Sequence, residues 1–254
     1  MQGAIDFKYT TFLQMLQFAD SALPIGSAAH SFGLETLVSE GLLSIEQLET
    51  FLRDYLVEAG ALECQFCQRG HQLAFRASAR PPHPSYSTPC PYMSQDLFIT
   101  QWLALNERLS AYKTVRESRL ASASLGRRFL QLVHGLDIHP LLPDIMQAAK
   151  SAGIATHFSI AFGLIGGLLA VDATMTGLAY LQQSLSGLVF ACQRLMPLGQ
   201  HQASKILWHL QPTLLAIIKR SEVAAPNDDI SSFTPLVDIG SMRHSALTTR
   251  LFIS

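Results

Sequence analysis

With 18 basic against 19 acidic side chains in 254 residues, the chain carries no excess charge, which argues against nucleic acid as its main ligand. Hydrophobic residues make up 48% and charged residues only 15%, so sizeable apolar surface is expected to be buried against partners. Four cysteines form no dense disulfide framework and no basic region precedes an apolar run at the start, which together point to cytoplasm and reduced thiols.

Residues 10–20 place Phe12, Leu16 and Ala19 at helical spacing. Residues 20–36 follow: Asp-Ser-Ala-Leu-Pro-Ile-Gly-Ser-Ala-Ala-His-Ser-Phe-Gly-Leu-Glu-Thr. Pro24 fixes one backbone angle and Gly26 frees another, so a turn of defined shape is expected. Ser27 is placed to cap a short helix carrying His30, Ser31, Phe32 and Glu35, which Gly41 ends. The polar groups of that helix read either as satisfied buried groups or as a recognition or chemical site.

Ser44 and Gln47 form a capping box, and Leu43 can staple onto Leu48. The stripe Leu48, Phe51, Leu52, Tyr55, Ala59, Leu62, Phe66 and Leu73 then predicts one long helix, the spine of a bundle. Cys64, Cys67 and His71 share a face of it. A metal site needs about four ligands, usually on converging turns, and there is no second cysteine pair. Small buried hydrophobes with one histidine are therefore favoured over a transient nickel or zinc contact.

Five prolines between residues 78 and 94 predict a surface loop between helices, in which His83 and Cys90 make no motif. Residues 95–136 are helical, with a break near Ser110. Leu97, Trp102 and Leu105 serve the core of the first part, and Val115, Leu120, Phe129, Leu130 and Val133 that of the second. Arg116 and Arg119 share a face with Arg127 roughly along it, either as a solvated face or as fork-shaped donors to a partner's carboxylates.

Pro140 and Pro143 open another helix, with Ile145, Met146 and Ala149 inward and Gly153 at its end. The stretch from His157 to Val171 contains Gly163, Gly166 and Gly167. Each costs about 1 kcal/mol of helix propensity against alanine, which points to close packing of another helix or of a second copy. Its apolar run, Phe158 to Val171, is 14 residues long, short of the ~20 that span a bilayer, so no membrane is expected. Thr174 to Met196 is amphipathic through Leu178, Leu181, Leu185, Leu188, Cys192 and Leu195. Pro197-Leu198-Gly199-Gln200 turns into a last long helix, 200–219, which Pro212 should kink or split. From 220 to 254 helical periodicity fades. Leu247, Leu251, Phe252 and Ile253 are nevertheless too apolar for a free tail and need burial on this chain or another.

The class is therefore all-α: a single-domain bundle over 1–254 of roughly eight to ten helices with an irregular C-terminal tail. No phosphate-binding loop is present. His30, Ser31 and Glu35 hold the residue types of a base-assisted nucleophile, but neighbours on a helix point about 100° apart, so catalysis is set aside.

Leu-Pro-Ile-Gly-Ser followed by His-Ser-Phe-Gly-Leu-Glu resembles the N-terminal signature of the urease accessory protein F family (UreF). Residues 116–121 with Gly126-Arg127-Arg128-Phe129 resemble its Glu-Leu-Arg…Gly-Arg-Arg-Phe segment, with Ser118 in place of Leu. The Pro197–Gln200 turn is similar to the family's. The tail matches its C-terminal signature at Arg243, His244, Arg250 and the final apolar residues, and departs from it at Ser231, Ser245, Thr248 and Thr249. The likeness covers nearly the whole chain except the proline-rich loop.

What the resemblance implies is a non-enzymatic cytoplasmic chaperone for nickel insertion into urease. Such a protein dimerises, binds UreD (UreH in some bacteria), recruits the nickel-carrying GTPase UreG and acts on apo-urease. It modulates the GTPase or forms part of a passage for the metal. Nickel and GTP then belong to the partners, with no cofactor held stably here. Partner contacts are assigned to His30, Ser31 and Glu35 in the opening motif and to Arg116, Arg119, Arg127 and Gln200. In the tail they are assigned to Asp229, Ser232, Thr234, Pro235, Arg243, His244, Arg250, Leu251 and Phe252. Pro24, Gly26, Gly33, Gly126, Pro197 and Gly199 are assigned to turns and close packing. The tail is expected on UreD, and the opening motif behind the surface facing the GTPase or a dimer partner. Two other readings stay open: a metal carrier using Cys64, Cys67 and His71, and a helical adaptor unrelated to urease.

Overall fold

Proline and glycine punctuate the chain into helices whose apolar faces must find one another. A computed structural model describes residues 2–78, 93–223 and 232–253. In chain order the helices are α1 (Gln2–Phe18), α2 (Leu34–Ser39), α3 (Leu48–Tyr55), α4 (Ala61–Ser78), α5 (Gln95–Tyr112) and α6 (Arg116–His134). They continue as α7 (Leu142–Ala152), α8 (Phe158–Leu168), α9 (Ala173–Leu195), α10 (Gln200–His209), α11 (Gln211–Val223) and α12 (Pro235–Arg243). The described residues form helices and no strand, so the all-α class holds.

The expected spine is present, but it is not uniform. A π-helical turn, Leu56–Gly60, joins α3 to α4. Pro212 splits the last long helix as expected, and α10 and α11 meet at Leu210. Ahead of α3, Gln47 Oε1 accepts the Ser44 N–H at 3.1 Å, which is half of the capping box. The Ser44 hydroxyl turns instead to Glu46.

Helix α8 sits at the centre, with Phe158 to Gly167 all buried. Its glycines explain how. A Cβ on Gly163 would run into the carbonyl oxygen of Cys67, and one on Gly167 into that of His71. From the other side, a Cβ on Gly70 would lie 2.6 Å from the carbonyl oxygen of Ile160. Helices α4 and α8 thus touch backbone to backbone. Gly126 lets α6 approach Thr156 and His157 in the same way. The close neighbour of the α8 glycines is in the same chain, and the second-copy alternative for them falls. An aromatic cluster closes the remaining space: Phe129 lies 5.4 Å from Phe158 and 5.7 Å from both Phe18 and Phe162.

Several expectations need correction. On α1 it is Met15 and Phe18 that enter the core, while Phe12 and Leu16 are exposed; they flank an open apolar groove against the start of α9. Leu97 and Leu120 are also exposed, on the outer faces of α5 and α6. The break between those helices falls at residues 113–115 rather than near Ser110. The tail is not irregular throughout, because α12 forms there. Most of the proline-rich stretch 78–94, and Asp229, lie outside the described residues.

Candidate functional site

The opening motif does not form one Ser27-capped helix. Gly26 takes a left-handed φ of 82°, and Ser27–Ala29 is a single 3-10 turn with no side-chain cap. The Ser27 hydroxyl donates to the carbonyl of Ser21 instead. His30 is extended, Phe32 has φ 51° and Gly33 has φ 87°, so the chain reverses before α2 begins at Leu34. His30 lies on extended backbone and Ser31 precedes the left-handed Phe32, so the two are not neighbours on one helix. Arg128, beside the expected arginine face, donates to the carbonyl of Ile25 and steadies the turn.

Glycine decides what packs on this motif. A Cβ on Gly33 would lie 2.7 Å from the carbonyl oxygen of Val237 and 2.9 Å from the Ser241 nitrogen. A Cβ on Gly240 would lie 2.9 Å from the Gly33 carbonyl oxygen. The two glycines let α12 rest directly on the start of α2. That brings the opening motif and the tail together.

Glu35 is the centre of the junction. Its Oε2 accepts from His244 Nε2 at 2.7 Å and from the Phe252 N–H at 3.2 Å; its Oε1 accepts from the Leu251 N–H at 2.5 Å. Burial pushes the Glu35 carboxyl up, but the bonds from Leu251, His244 and Phe252 outweigh it and hold the carboxyl below its ordinary value. The Ile253 N–H donates to the Ala29 carbonyl at 2.8 Å. The Arg194 guanidinium lies 4.4 Å from the centre of the buried Phe252 ring. Ser31, Glu35, His244 and Phe252 are all buried here, so the side chains expected to meet partners are engaged with their own chain. Of residues 250–253, Arg250, Leu251 and Ile253 are exposed and only Phe252 is buried. Arg243, also exposed, pairs with Glu40 at 2.9 Å.

The other expected residues are scattered. Arg119 folds back and donates to the carbonyl of Lys113 at 2.5 Å and of Thr114 at 3.3 Å, bracing the α5–α6 turn instead of offering a fork. Arg116 and Arg127 remain exposed on α6. Gln200 stands exposed at the first position of α10, just after the Pro197–Gly199 turn. Pro235 is the first residue of α12, and Thr234 precedes it. Ser232 and Thr234 line a small polar cleft with Glu63 and Lys113.

That cleft exposes a polar centre the sequence did not disclose. Glu63 and Lys113 form an ion pair, each about 12% exposed or less. Behind it, His157 lies between the hydroxyls of Ser110, 2.8 Å away, and Ser122, 3.1 Å away. Burial, and then the Lys113 charge, push the His157 imidazole down to about 4. The face that carries Cys64, Cys67 and His71 is core, as the favoured reading had it. Cys64 and Cys67 are fully buried, and burial pushes their thiols up, Cys64 to about 12. His71 lies against the Val171 carbonyl at 2.6 Å. Among the described residues no group of three or more His, Cys, Asp or Glu side chains is arranged to hold a metal, and no helix is long and apolar enough to cross a membrane.

An all-helical body whose opening motif and tail are clasped together, with apolar side chains left outside the clasp, is the class of molecule these features define. The chain belongs to the UreF family: the family model UreF matches residues 43–211. The urease accessory protein UreF of Actinobacillus pleuropneumoniae is 30% identical over 241 residues, covering 94% of this chain and 97% of that protein. The UreF of a Nostoc species is 30% identical over 245 residues, 96% of each chain. That of Bacillus sp. strain TB-90 is 28% identical over 247 residues, 95% of this chain and 98% of its own.

Proposed function

We propose that this chain is a non-catalytic assembly factor that holds UreD and the GTPase UreG in register for nickel insertion into apo-urease. The observation that carries the reading is the outer face of the tail. Phe233, Leu236, Ile239 and Met242, on or just before α12, and Leu251 and Ile253, beyond it, are between 42% and 77% exposed. Apolar side chains on a rigid element are what a protein interface uses at its centre. UreD is assigned to this face. Arg116 and Arg127 on α6 are assigned to acidic groups of UreG. A homodimer is part of the same reading, and the exposed Tyr9, Phe12, Leu13 and Leu16 of α1 supply apolar surface for it. Nickel is cargo in this account, and the chain works in the cytoplasm.

The test is the double substitution Ile239→Asp and Met242→Asp, which changes only exposed side chains. Loss of co-purification with UreD at unchanged melting temperature is expected; retained binding overturns the assignment. The nickel-carrier reading has less support, because Cys64 and Cys67 are sealed in the core as high-pKa thiols. Equilibrium dialysis separates the two: tight stoichiometric nickel binding lost in Cys67→Ala would favour the carrier.

A further inference from the structure

The geometry points to Glu35 as a positioning residue that sets the register of the C-terminal strap, and so decides which tail side chains face outward. This rests on the assignment of the tail to a partner only for its consequence, not for the register itself.

The carboxylate takes two consecutive main-chain N–H groups, those of Leu251 and Phe252. Leu251 and Phe252 sit in a bend, which lets two successive N–H groups turn toward one carboxylate, and holding both fixes which side chain turns inward. Leu251 and Ile253 point out at 62% and 69% exposure, and Phe252 points in at 5%. A slip of one residue would bring Leu251 or Ile253 to the place of Phe252 and turn the Phe252 ring toward water. Three further residues hold the same register. His244 Nε2 fixes the carboxylate, the Ala29 carbonyl accepts the Ile253 N–H, and Arg194 covers the Phe252 ring while donating to the Leu251 carbonyl at 3.5 Å. A buried carboxylate of this kind adds little net stability, because its desolvation offsets its bonds. It is exacting about partners, because each lost acceptor leaves a buried N–H unpaired. That combination suits a register pin better than a stability element.

The experiment is hydrogen exchange on the full chain alone, read in peptides covering residues 247–254 and in α8. Glu35→Gln keeps shape but replaces one acceptor oxygen with an NH2 group. The Leu251 and Phe252 amides are expected to exchange about tenfold to a hundredfold faster, with α8 unchanged. Unchanged protection in the folded variant overturns the proposal. His244→Gln approaches from the other side and is expected to loosen the same two amides. The wild-type chain gives a reading that needs no variant: if its Leu251 and Phe252 amides exchange at free-peptide rates, there is no pin. Affinity for UreD is then measured on Glu35→Gln. A loosened strap with undiminished affinity would refute the tail–UreD assignment and leave the pin standing.

Discussion

Replacing Gly70 with alanine sets two effects of opposite sign against each other. Helix propensity favours the change by about 1 kcal/mol, since glycine is the costlier residue inside a helix. Packing opposes it. The new Cβ would lie 2.6 Å from the Ile160 carbonyl oxygen and 3.3 Å from the Ile160 carbonyl carbon and Cα. Reaching an ordinary contact of 3.4 Å needs about 0.8 Å of retreat. The obstacle is main chain on a helix buried on every side, so no side chain can swing away. Overpacking of this kind costs about 1–3 kcal/mol, and here the upper end applies. The net expectation is a destabilisation of about 2 kcal/mol, or a melting temperature lower by roughly 4–8 °C. Gly187 on α9 is the internal control, because nothing lies within 4 Å of its Cβ position. Gly187→Ala is expected to stabilise by up to about 1 kcal/mol. Urea denaturation of both variants checks the pair. If Gly70→Ala is as stable as Gly187→Ala, the backbone contact between α4 and α8 is not as described.

Acid should weaken the fold through His157. Its folded pKa of about 4 lies below the ordinary 6.5, so the unfolded chain binds the proton more readily. Stability from this residue is full above pH 6.5 and falls as pH drops toward 4, by about 3 kcal/mol in all; denaturation midpoints measured across that window check it, and a flat profile refutes it. Lys113→Met leaves the Glu63 carboxylate buried without its partner, and a loss of about 3–5 kcal/mol is expected by denaturation. Adding Glu63→Leu should recover most of it, and a double variant no better than the single would refute the pairing. Reversing Arg116 and Arg127 to glutamate should slow UreG association and flatten its salt dependence, with folding unchanged. Salt-titrated binding kinetics with no difference from wild type would remove that face from the account.

How far the sequence disclosed this structure depended on whether hydrophobicity tracked burial. Along α8 and α9 it did, and the glycines inside an apolar run announced a close helix contact, though not which helix. On α12 the relation is inverted. Gly240 and Ser241 face inward because only small residues let the helix rest on Gly33, while Leu236, Ile239 and Met242 face out. A periodicity argument equates apolar with inside, so it sees no helix there. The same inversion hid the outward face of α1 at Phe12 and Leu16. The opening motif was legible as a singular stretch, but its backbone was not: a positive φ at Phe32, a non-glycine residue, has no sequence signal. The clasp was the least legible. Glu35 and His244 were each singled out, yet nothing local pairs residues 209 positions apart. Arg194, Gly240 and the Glu63–Lys113 pair were missed for the same reason, since each acquires its meaning only from a long-range neighbour.

The central claim is that this chain acts by holding other proteins together. It is tested most directly by size-exclusion chromatography with light scattering on a mixture of the chain, UreD and GTP-loaded UreG. The expected result is one complex of defined mass containing all three, which falls apart when Ile239 and Met242 are replaced by aspartate. Three separately eluting proteins, or a complex indifferent to those substitutions, would contradict it.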